Sequence, residues 1–508
     1  VFNGEIYNFR ELRADLEALG ETFSSSGDSE VLLRALIRWD VAALERLNGI
    51  FALALYDNLE KTLLLARDHA GIKPLYYLRD QRGIVFGSQF NQILEHPWAA
   101  DHPVDDDAAR LYLRFGYIPA PFVMLRDTAM LDQGCWMRFT AAGKVDGGRY
   151  WAFPYPAEPT LKGDEALEAV DSVIREAVHR QMVSDVPVGA FLSGGIDSPL
   201  VVAKILESGH SKLRTYTIAT DDAASDESDD ARRYARELGV EQVIETITPD
   251  QALALLPDVI EASSEPFGDY SIFPTMLVSK FSSEEFTVML SGDGGDENLA
   301  GYRRYRMHMA EERLRSRLPP GLRRAIFGPL GAVYPKADWA PRFLRAKTTF
   351  ESLGRDSVAA WFHGVSRMTD AQRRALFSRS LQAEIGDYNA VEVLRRHARE
   401  APTDHPLSLV QYLDLKTYLP GDILTKVDRA SMAHSLEVRV PILDHTFVEW
   451  ASGLPSNWCL HGREGKHILK QSLKPYLPHD VLFREKMGFA VPLTSWFRGP
   501  LKQRIGEL

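Results

Sequence analysis

The N-terminal 150 residues of the chain carry a mixture of helical and strand-like hydrophobic patterns. Apolar residues at steps of three and four predict amphipathic helices over 9–19 and 29–39. Apolar runs predict strands over 49–57, 62–67 and 84–87, and a short polar stretch typical of a hairpin joins the first two. This part of the chain is therefore predicted to combine antiparallel strands with a few helices.

A regular alternation of helices and strands begins near residue 164. Predicted helices cover 164–182, 199–206 and 228–238, and predicted strands cover 187–192, 213–219, 242–246 and a short run ending at Leu290. This order predicts a parallel sheet with helices on both faces. The pattern is mostly helical from about Met309 onward. Prolines crowd the stretch 152–162, which is typical of a linker, so we predict two domains, 1–155 and 164–508.

Composition narrows the classes of protein that fit this pattern. The chain has 508 residues, 59 Lys and Arg against 70 Asp and Glu, and a formal charge of −11. This acidic balance argues against a general nucleic-acid binder. No apolar run approaches the roughly 20 residues of a membrane helix, and no signal peptide is visible. Two cysteines, Cys135 and Cys459, exclude a disulfide scaffold, and we expect a cytoplasmic protein.

The string Ser193-Gly194-Gly195-Ile196-Asp197-Ser198 lies between a predicted strand and a predicted helix. Adjacent glycines let the backbone approach a ligand, and the start of the helix offers unpaired N–H groups. Asp197 would repel a phosphate unless a cation lies between them, so we infer Mg²⁺. The alternative is a tight turn with Asp197 as a helix cap. The whole string favours a pyrophosphate cradle and resembles the PP-loop of ATP pyrophosphatases.

A second glycine-rich string, Ser291-Gly292-Asp293-Gly294-Gly295-Asp296-Glu297, also follows a predicted strand. As a surface turn it would be unremarkable. Ligand sites of open parallel sheets lie outside the carboxyl ends of their strands. Beside a phosphate cradle, these acids could therefore hold a second edge of the metal.

Together with other strings, these two resemble the glutamine-hydrolysing asparagine synthetases of the asparagine synthase B type. The resemblance covers essentially the whole chain, and six strings in one order make it specific. Besides the two glycine strings, they are Phe2–Asn8, Arg67–Tyr76, Asp428–Met432 with Glu437–Pro441, and Gly465–Leu469. The resemblance implies an incomplete α/β N-terminal-nucleophile glutaminase domain of αββα type, and an α/β PP-loop synthetase domain with a helical C-terminal part.

The resemblance also implies a reaction and the groups that perform it. Aspartate is adenylated by MgATP, and ammonia released from glutamine then displaces AMP to give asparagine, AMP and pyrophosphate. Lys466 and Asp293 match catalytic positions, and Asp197 and Asp296 match the Mg²⁺ ligands. The implied ATP-binding residues are Leu192, Ser193, Gly194, Gly195, Asp197, Ser198, Ile218, Ser291 and Gly292. The implied glutamine-binding residues are Asn3, Gly4, Glu5 and Asp28.

Several of these residues also have a plainer interpretation. Lys466 by itself would be a solvated surface lysine, and Asp28 after Gly27 would be a helix N-cap. Asn-Gly at Asn3 is a common turn dipeptide. Leu192 and Ile218 fit an ordinary core. For Arg439, a structural ion pair and a substrate anchor remain equal alternatives.

The beginning of the chain departs from the family's pattern. It begins with Val1, while the glutaminase nucleophile of the family is a cysteine at the mature N-terminus whose α-amino group acts as the base. We therefore expect an N-terminally truncated chain in which the glutaminase half-reaction is absent. Ammonia-dependent synthesis would survive.

Two other functions remain open at the level of sequence. The same chemistry could amidate another carboxylate, such as one in a cell-surface sugar or a natural product. A non-catalytic interaction protein descended from the enzyme is the second alternative, and the retained acids and Lys466 argue against it. The expected partners are ATP, aspartate, and glutamine or ammonia, with no nucleic acid and no membrane, and a homodimer is one option.

Overall fold

The computed structural model describes residues 1–156, 158–210, 212–222, 226–336, 341, 345–385, 389–483, 492–499 and 501–506. In the N-terminal part the strands are β1 (Phe2–Ile6), β2 (Gly49–Asp57), β3 (Thr62–Arg67), β4 (Tyr76–Asp80), β5 (Gly83–Gly87), β6 (Thr128–Met130), β7 (Cys135–Thr140) and β8 (Val145–Arg149). The helices are α1 (Phe9–Ala18), α2 (Asp28–Trp39), α3 (Phe90–Leu94) and α4 (Asp106–Phe115). The helices and strands predicted over this part are confirmed, with ends that differ by one residue or none.

The N-terminal strands form two antiparallel sheets that pack face to face. One sheet has the order β1-β2-β3-β7-β8 and the other has the order β5-β4-β6. Phe51 and Leu64 of the first sheet pack against α1 and α2, whereas Ala54 and Leu65 pack towards the second sheet. Leu78 of the second sheet packs with residues of α3. Because side chains alternate across a strand, this order gives four layers, αββα.

The C-terminal part is built around a parallel sheet. Its strands are β9 (Val188–Phe191), β10 (Arg214–Thr220), β11 (Glu241–Ile247), β12 (Val288–Leu290) and β13 (Glu437–Arg439), in the order β11-β10-β9-β12-β13. A small hairpin pairs β14 (Leu460–His461) with β15 (Glu464–Gly465). Met289 and Leu290 belong to different hydrophobic clusters, so both faces of the sheet are covered, as predicted.

The helices of this part surround the sheet and then form a helical region. They are α5 (Gly163–Gln181), α6 (Asp197–Glu207), α7 (Ser228–Leu238), α8 (Pro249–Ala254), α9 (Leu256–Ser263), α10 (Ile272–Ser283), α11 (Gly295–Asn298), α12 (Arg303–Arg315), α13 (Pro320–Val333), α14 (Lys347–Leu353), α15 (Ser357–Val365), α16 (Asp370–Leu376), α17 (Arg379–Ile385), α18 (Val391–Glu400), α19 (Pro406–Lys416), α20 (Leu424–Met432), α21 (His445–Ser452), α22 (Ser456–Cys459), α23 (His467–Leu473), α24 (His479–Leu482), α25 (Leu493–Arg498) and α26 (Lys502–Gly506). Within the described ranges, no helix has both the length and the apolar character needed to cross a membrane.

Buried and half-buried polar contacts join the two parts. The Asn48 side chain donates to the carboxylate of Asp444 at 3.1 and 3.2 Å. Lys73 lies 3.2 Å from the carboxylate of Asp428, with both side chains buried. Glu265 accepts a hydrogen bond of 2.9 Å from the backbone N–H of Met124. Such pairs are costly to break one partner at a time, so they favour a single relative placement of the two parts.

Glu265 makes this contact sensitive to pH. Burial raises the pKa of Glu265 to about 7, from 4.5. The folded protein therefore favours the protonated acid, and the resulting stability is complete below pH 4.5 and is lost as the pH rises through about 7. For Glu265→Gln, the thermal midpoint is compared with that of the unchanged chain at two pH values. We expect the difference, variant minus unchanged chain, to be roughly 2–5 °C larger at pH 8 than at pH 5.5. Glu284→Gln, at an exposed acid after α10, should show no such difference between the two pH values. Equal pH dependence in both variants would contradict the prediction.

Candidate active site

The first glycine string forms the connection between β9 and α6. The backbone N–H of Ser193 donates to the hydroxyl of Ser198 at 2.9 Å, and the N–H of Gly195 donates to the hydroxyl of Ser193 at 3.2 Å. The two hydroxyls are 3.0 Å apart. The loop is thus closed by its own serines and leads directly into the N-terminus of α6. Helix N-termini carry unpaired N–H groups and a partial positive charge, which suits phosphate.

The second string follows β12, the strand that pairs with β9 in parallel. The hydroxyl of Ser291 donates to the carboxylate of Asp293 at 2.5 Å. A methyl group at Gly292 would lie 2.6 Å from the backbone nitrogen of Ser198, and one at Gly295 would lie 2.4 Å from Asp197 Oδ1. The glycines therefore let the two loops touch. This close approach explains why the second string is rich in glycine, although such a string suits neither a hydrophobic core nor a helix.

Lys466 connects the two loops. It lies directly before α23 with a backbone φ of +55°, and its side chain is buried. Its ammonium group is 2.8 Å from the carboxylate of Asp296 and also pairs with the carboxylate of Asp197. Burial acts to lower the pKa of Lys466, but the two carboxylates outweigh it and raise the pKa, so the ammonium stays charged. The alternative of a solvated surface lysine is therefore wrong.

Asp197 and Asp296 fit a magnesium ion that arrives with a nucleotide. Within the described ranges, no group of three or more His, Cys, Asp or Glu side chains is arranged to hold a metal. Mg²⁺ typically uses one or two protein carboxylates and takes its other ligands from water and substrate phosphates. Two carboxylates beside a phosphate cradle meet that requirement, whereas a metal held by protein alone would need more donors.

A single cavity of about 1010 Å³ contains all of these groups. Every residue that the sequence assigned to ATP, metal or catalysis lines it, including the two apolar strand-end residues Leu192 and Ile218. Asp28 and the other members of the glutamine set belong to the N-terminal part and are not among the described lining residues. The tertiary structure thus brings one predicted set together and leaves the other separate.

A second polar group in the cavity is centred on Lys426, which the sequence analysis missed. Lys426 lies 3.2 Å from the carboxylate of Asp269 and 2.9 Å from the hydroxyl of Ser271. Burial acts to raise the pKa of Asp269, but Lys426 and several hydrogen bonds hold it well below its usual range. Burial, reinforced by Asp269, raises the pKa of Asp422 well above its usual range. Lys426 lies shortly before the string Asp428–Met432, which contributes to the family resemblance. This position in the sequence was the signal that could have identified Lys426.

Glu297, at the end of the second string, is a further buried acid of the cavity. Burial, reinforced by Asp296, raises the pKa of Glu297 to about 7. The hydroxyl of Tyr302 donates to its carboxyl group at 2.7 Å. An acid that titrates near neutrality can hold or release a proton at working pH, which is a property of catalytic groups.

The N-terminal residues of the glutamine set lie together around β1. The Asn3 amide donates to the hydroxyl of Ser88 at 3.1 Å, and the carboxylate of Asp28 accepts from the N–H of Ile6 at 2.9 Å. Gly4 has φ +146°, and a methyl group there would lie 1.9 Å from the carbonyl oxygen of Ile50. Burial and the nearby Asp28 raise the pKa of Glu5 to about 7.

These contacts bear on two of the plainer interpretations. Asp28 is the first residue of α2, and its carboxylate accepts from another element, so the N-cap alternative is wrong. Arg439 is buried and donates to the carbonyl oxygens of Gln181 and Val183 at 2.8 and 2.6 Å. It also pairs with Glu437 at 2.5 Å and lies 3.8 Å from Glu5. Nε and Nη1 of Arg439 thus make structural contacts, whereas its Nη2 faces Glu5 of the glutamine set.

Comparison with known proteins agrees with this geometry. The asparagine synthase sequence profile matches residues 169–508, the part that contains the whole cavity. The chain belongs to the asparagine synthase family. A glutamine amidotransferase domain profile matches residues 1–151. That match lends no support to the expectation that the glutaminase half-reaction is absent.

Three relatives are similar to the chain over most of their length. Asparagine synthetase [glutamine-hydrolyzing] 1 of Bacillus subtilis (strain 168) is 30% identical over 515 residues, which is 100% of this chain and 78% of that protein. Asparagine synthetase [glutamine-hydrolyzing] 3 of the same organism is 28% identical, with 96% and 75% covered. The amidase chry2 of Gibberella zeae is 26% identical, with 100% and 79% covered.

Proposed function

We propose that this chain amidates the side-chain carboxylate of aspartate to asparagine at the expense of ATP. One observation carries the proposal: two glycine loops and Lys466 converge on one cavity, with Asp197 and Asp296 beside the phosphate cradle. Family membership and the relatives named asparagine synthetase support aspartate as the acceptor. The amidase relatives keep another carboxylate as the second candidate.

The chain's own groups divide the reaction between them. The PP-loop, residues Ser193–Ser198, holds the triphosphate, and Leu192 and Ile218 flank the nucleoside. A carboxylate oxygen of the acceptor attacks the α-phosphorus, and pyrophosphate leaves. Ammonia then attacks the acyl carbon and loses a proton to solvent, and AMP leaves with the oxygen that joined it to that carbon. Lys466 stabilises the charge that develops on the phosphate oxygens, as a preorganised cation does in a buried site.

Magnesium enters this proposal through two carboxylates. Asp197 and Asp296 would hold Mg²⁺, which neutralises phosphate charge and makes pyrophosphate a better leaving group. Asp293 would act in formation of the acyl-AMP intermediate. Its carboxylate is oriented by Ser291 at 2.5 Å. We also propose a homodimeric state and a cytoplasmic location, the latter in keeping with a sequence that has only two cysteines.

The deciding experiment measures pyrophosphate and asparagine together. The chain is incubated with MgATP and ammonium, with aspartate, without it, or with another carboxylate such as a uronic acid. We expect aspartate-dependent pyrophosphate matched by equal asparagine. Pyrophosphate that depends on the other carboxylate would favour the second candidate. ATP that neither binds nor turns over would overturn the assignment of the cavity.

We also propose that Asn3, Gly4, Glu5 and Asp28 bind glutamine, with Glu5 paired to its α-ammonium group. The pKa of about 7 means that most of the Glu5 carboxyl is protonated at pH 6. Glutamine affinity, measured calorimetrically, should therefore fall roughly tenfold from pH 8 to pH 6. Glu5→Gln should remove this dependence, whereas Glu11→Gln, on the exposed side of α1, should keep it. Affinity independent of pH in the unchanged chain would contradict the role of Glu5.

A further inference from the structure

A second cavity adjoins the nucleotide cavity. It measures about 460 Å³, within the range of about 300–1,000 Å³ that is usual for ligand pockets. Arg306, Leu460 and Arg463 line both cavities, so the two share a wall formed by α12 and the β14–β15 hairpin. Arg306 donates to the carbonyl oxygen of Arg463 at 3.1 Å and joins these two elements. The second cavity therefore opens beside the hairpin that leads to Lys466.

This second cavity is basic, although the chain as a whole is acidic. Its lining has three arginines, Arg306, Arg313 and Arg463, and no acid among the described residues. No described carboxylate forms an ion pair with any of the three. Arg306 and Arg313 are seven residues apart on α12, and this spacing places them on one face of the helix. Three guanidinium groups without counter-charges around one cavity attract an anion.

The rest of the lining strengthens that attraction. Met307, Met309, Leu407 and Leu460 supply an apolar wall. Charges of one sign beside low-dielectric walls focus the electric field and raise the local concentration of the opposite charge. Guanidinium groups also match phosphate oxygens in geometry, because they present several N–H donors in one plane. The chemistry thus selects a phosphate-type anion, and a polyphosphate best uses three separate arginines.

We propose that this arginine cavity, defined by Arg306, Arg313 and Arg463, is a binding subsite for the pyrophosphate that the reaction releases. The inference rests on the proposed function for the source of the anion. Arg306 and Arg463 belong to both cavities and can contact pyrophosphate as it leaves the PP-loop. Arg313, which lines only the arginine cavity, holds it there. The subsite draws the product away from the acyl-AMP and so opposes the reverse reaction.

The test measures pyrophosphate binding without turnover. The full chain is saturated with a non-hydrolysable ATP analogue and Mg²⁺, and inorganic pyrophosphate is titrated by calorimetry. We expect the unchanged chain to bind one pyrophosphate, and Arg313→Glu to bind it at least about tenfold more weakly. Arg317→Glu is the matched control, because it makes the same change of charge at an exposed residue outside both cavities. It should bind as the unchanged chain does.

The outcomes distinguish pyrophosphate from inorganic phosphate as the bound anion. They also distinguish failure of the subsite from failure of the proposed function. Equal weakening in both variants, or no binding by the unchanged chain, would overturn the subsite. Inorganic phosphate that binds as tightly as pyrophosphate would overturn pyrophosphate as the occupant. A chain that binds pyrophosphate in this way but forms no asparagine would overturn the proposed function alone. In turnover, Arg313→Glu should raise the inhibition constant of pyrophosphate while the KM for ATP stays unchanged.

Discussion

Replacing Lys466 with methionine is expected to lower aspartate-dependent pyrophosphate release by about 10³-fold. The ammonium group is the cation that lies between Asp197 and Asp296, and it is buried with them. Methionine has a similar length but no charge. It would remove the positive charge that we propose stabilises the charge developing on the phosphate oxygens. The rate is measured at saturating MgATP, aspartate and ammonium, with asparagine measured in parallel.

The control for this variant is Lys474→Met. Lys474 is an exposed lysine directly after α23, the helix that Lys466 precedes. It removes one lysine charge from the chain but leaves the cavity intact, so its activity should equal that of the unchanged protein. Removing one partner of a buried ion pair also lowers the free energy of unfolding, by about 3–5 kcal/mol. Thermal midpoints therefore accompany the assay, and rates are compared at a temperature where all variants are folded. Activity within tenfold of the unchanged chain in folded Lys466→Met would contradict the role of Lys466.

Gly301→Ala should lower the same activity by about 10²-fold without removing any charged group. A methyl group at Gly301 would lie 2.0 Å from Asp296 Oδ1 and 2.2 Å from Lys466 Cε. No van der Waals contact is that short, so the carboxylate and the lysine must separate. Because the reaction depends on their positions, a displacement of about 1 Å is costly. The assay is the one used for Lys466.

Gly364→Ala is the matched control for this substitution. Gly364 lies within α15, and a methyl group there would meet nothing within 4 Å. The control should keep full activity and gain roughly 0.4–1 kcal/mol of stability, because alanine restricts the unfolded chain. If Gly301→Ala were as active as Gly364→Ala, the close packing of Asp296 and Lys466 would not matter for catalysis.

The local elements of this protein were predictable because their patterns are strong. The helix at 228–238 and the strands at 49–57 and 62–67 appear in the structure with the predicted bounds. The helix is marked by regular apolar spacing and the two strands by apolar runs, and each element ends at a clear polar or glycine boundary. The alternation after residue 163 likewise indicated a parallel sheet, because a helix between two parallel strands is the usual right-handed connection.

The candidate site was predictable in part, for a different reason. The PP-loop and the acidic string were visible because runs of glycine and acid are unfavourable in cores and helices. The role of Lys466 was predicted only through the family resemblance, because a lysine in a polar stretch has no local feature that predicts burial. Lys426 and Asp269 are 157 residues apart in sequence. Arg306 and Arg463 are separated by the same number of residues. No pattern along the chain relates them.

Local sequence patterns thus predicted the helices and strands, the parallel sheet and the two glycine strings. These depend on interactions between neighbours in the chain, which a pattern records. Only the three-dimensional packing shows that Lys466 is buried between Asp197 and Asp296, that Arg439 bonds the carbonyl oxygens of Gln181 and Val183, and that three arginines line a second cavity. These depend on contacts between distant segments, where burial and charge are set by the packing of the whole fold.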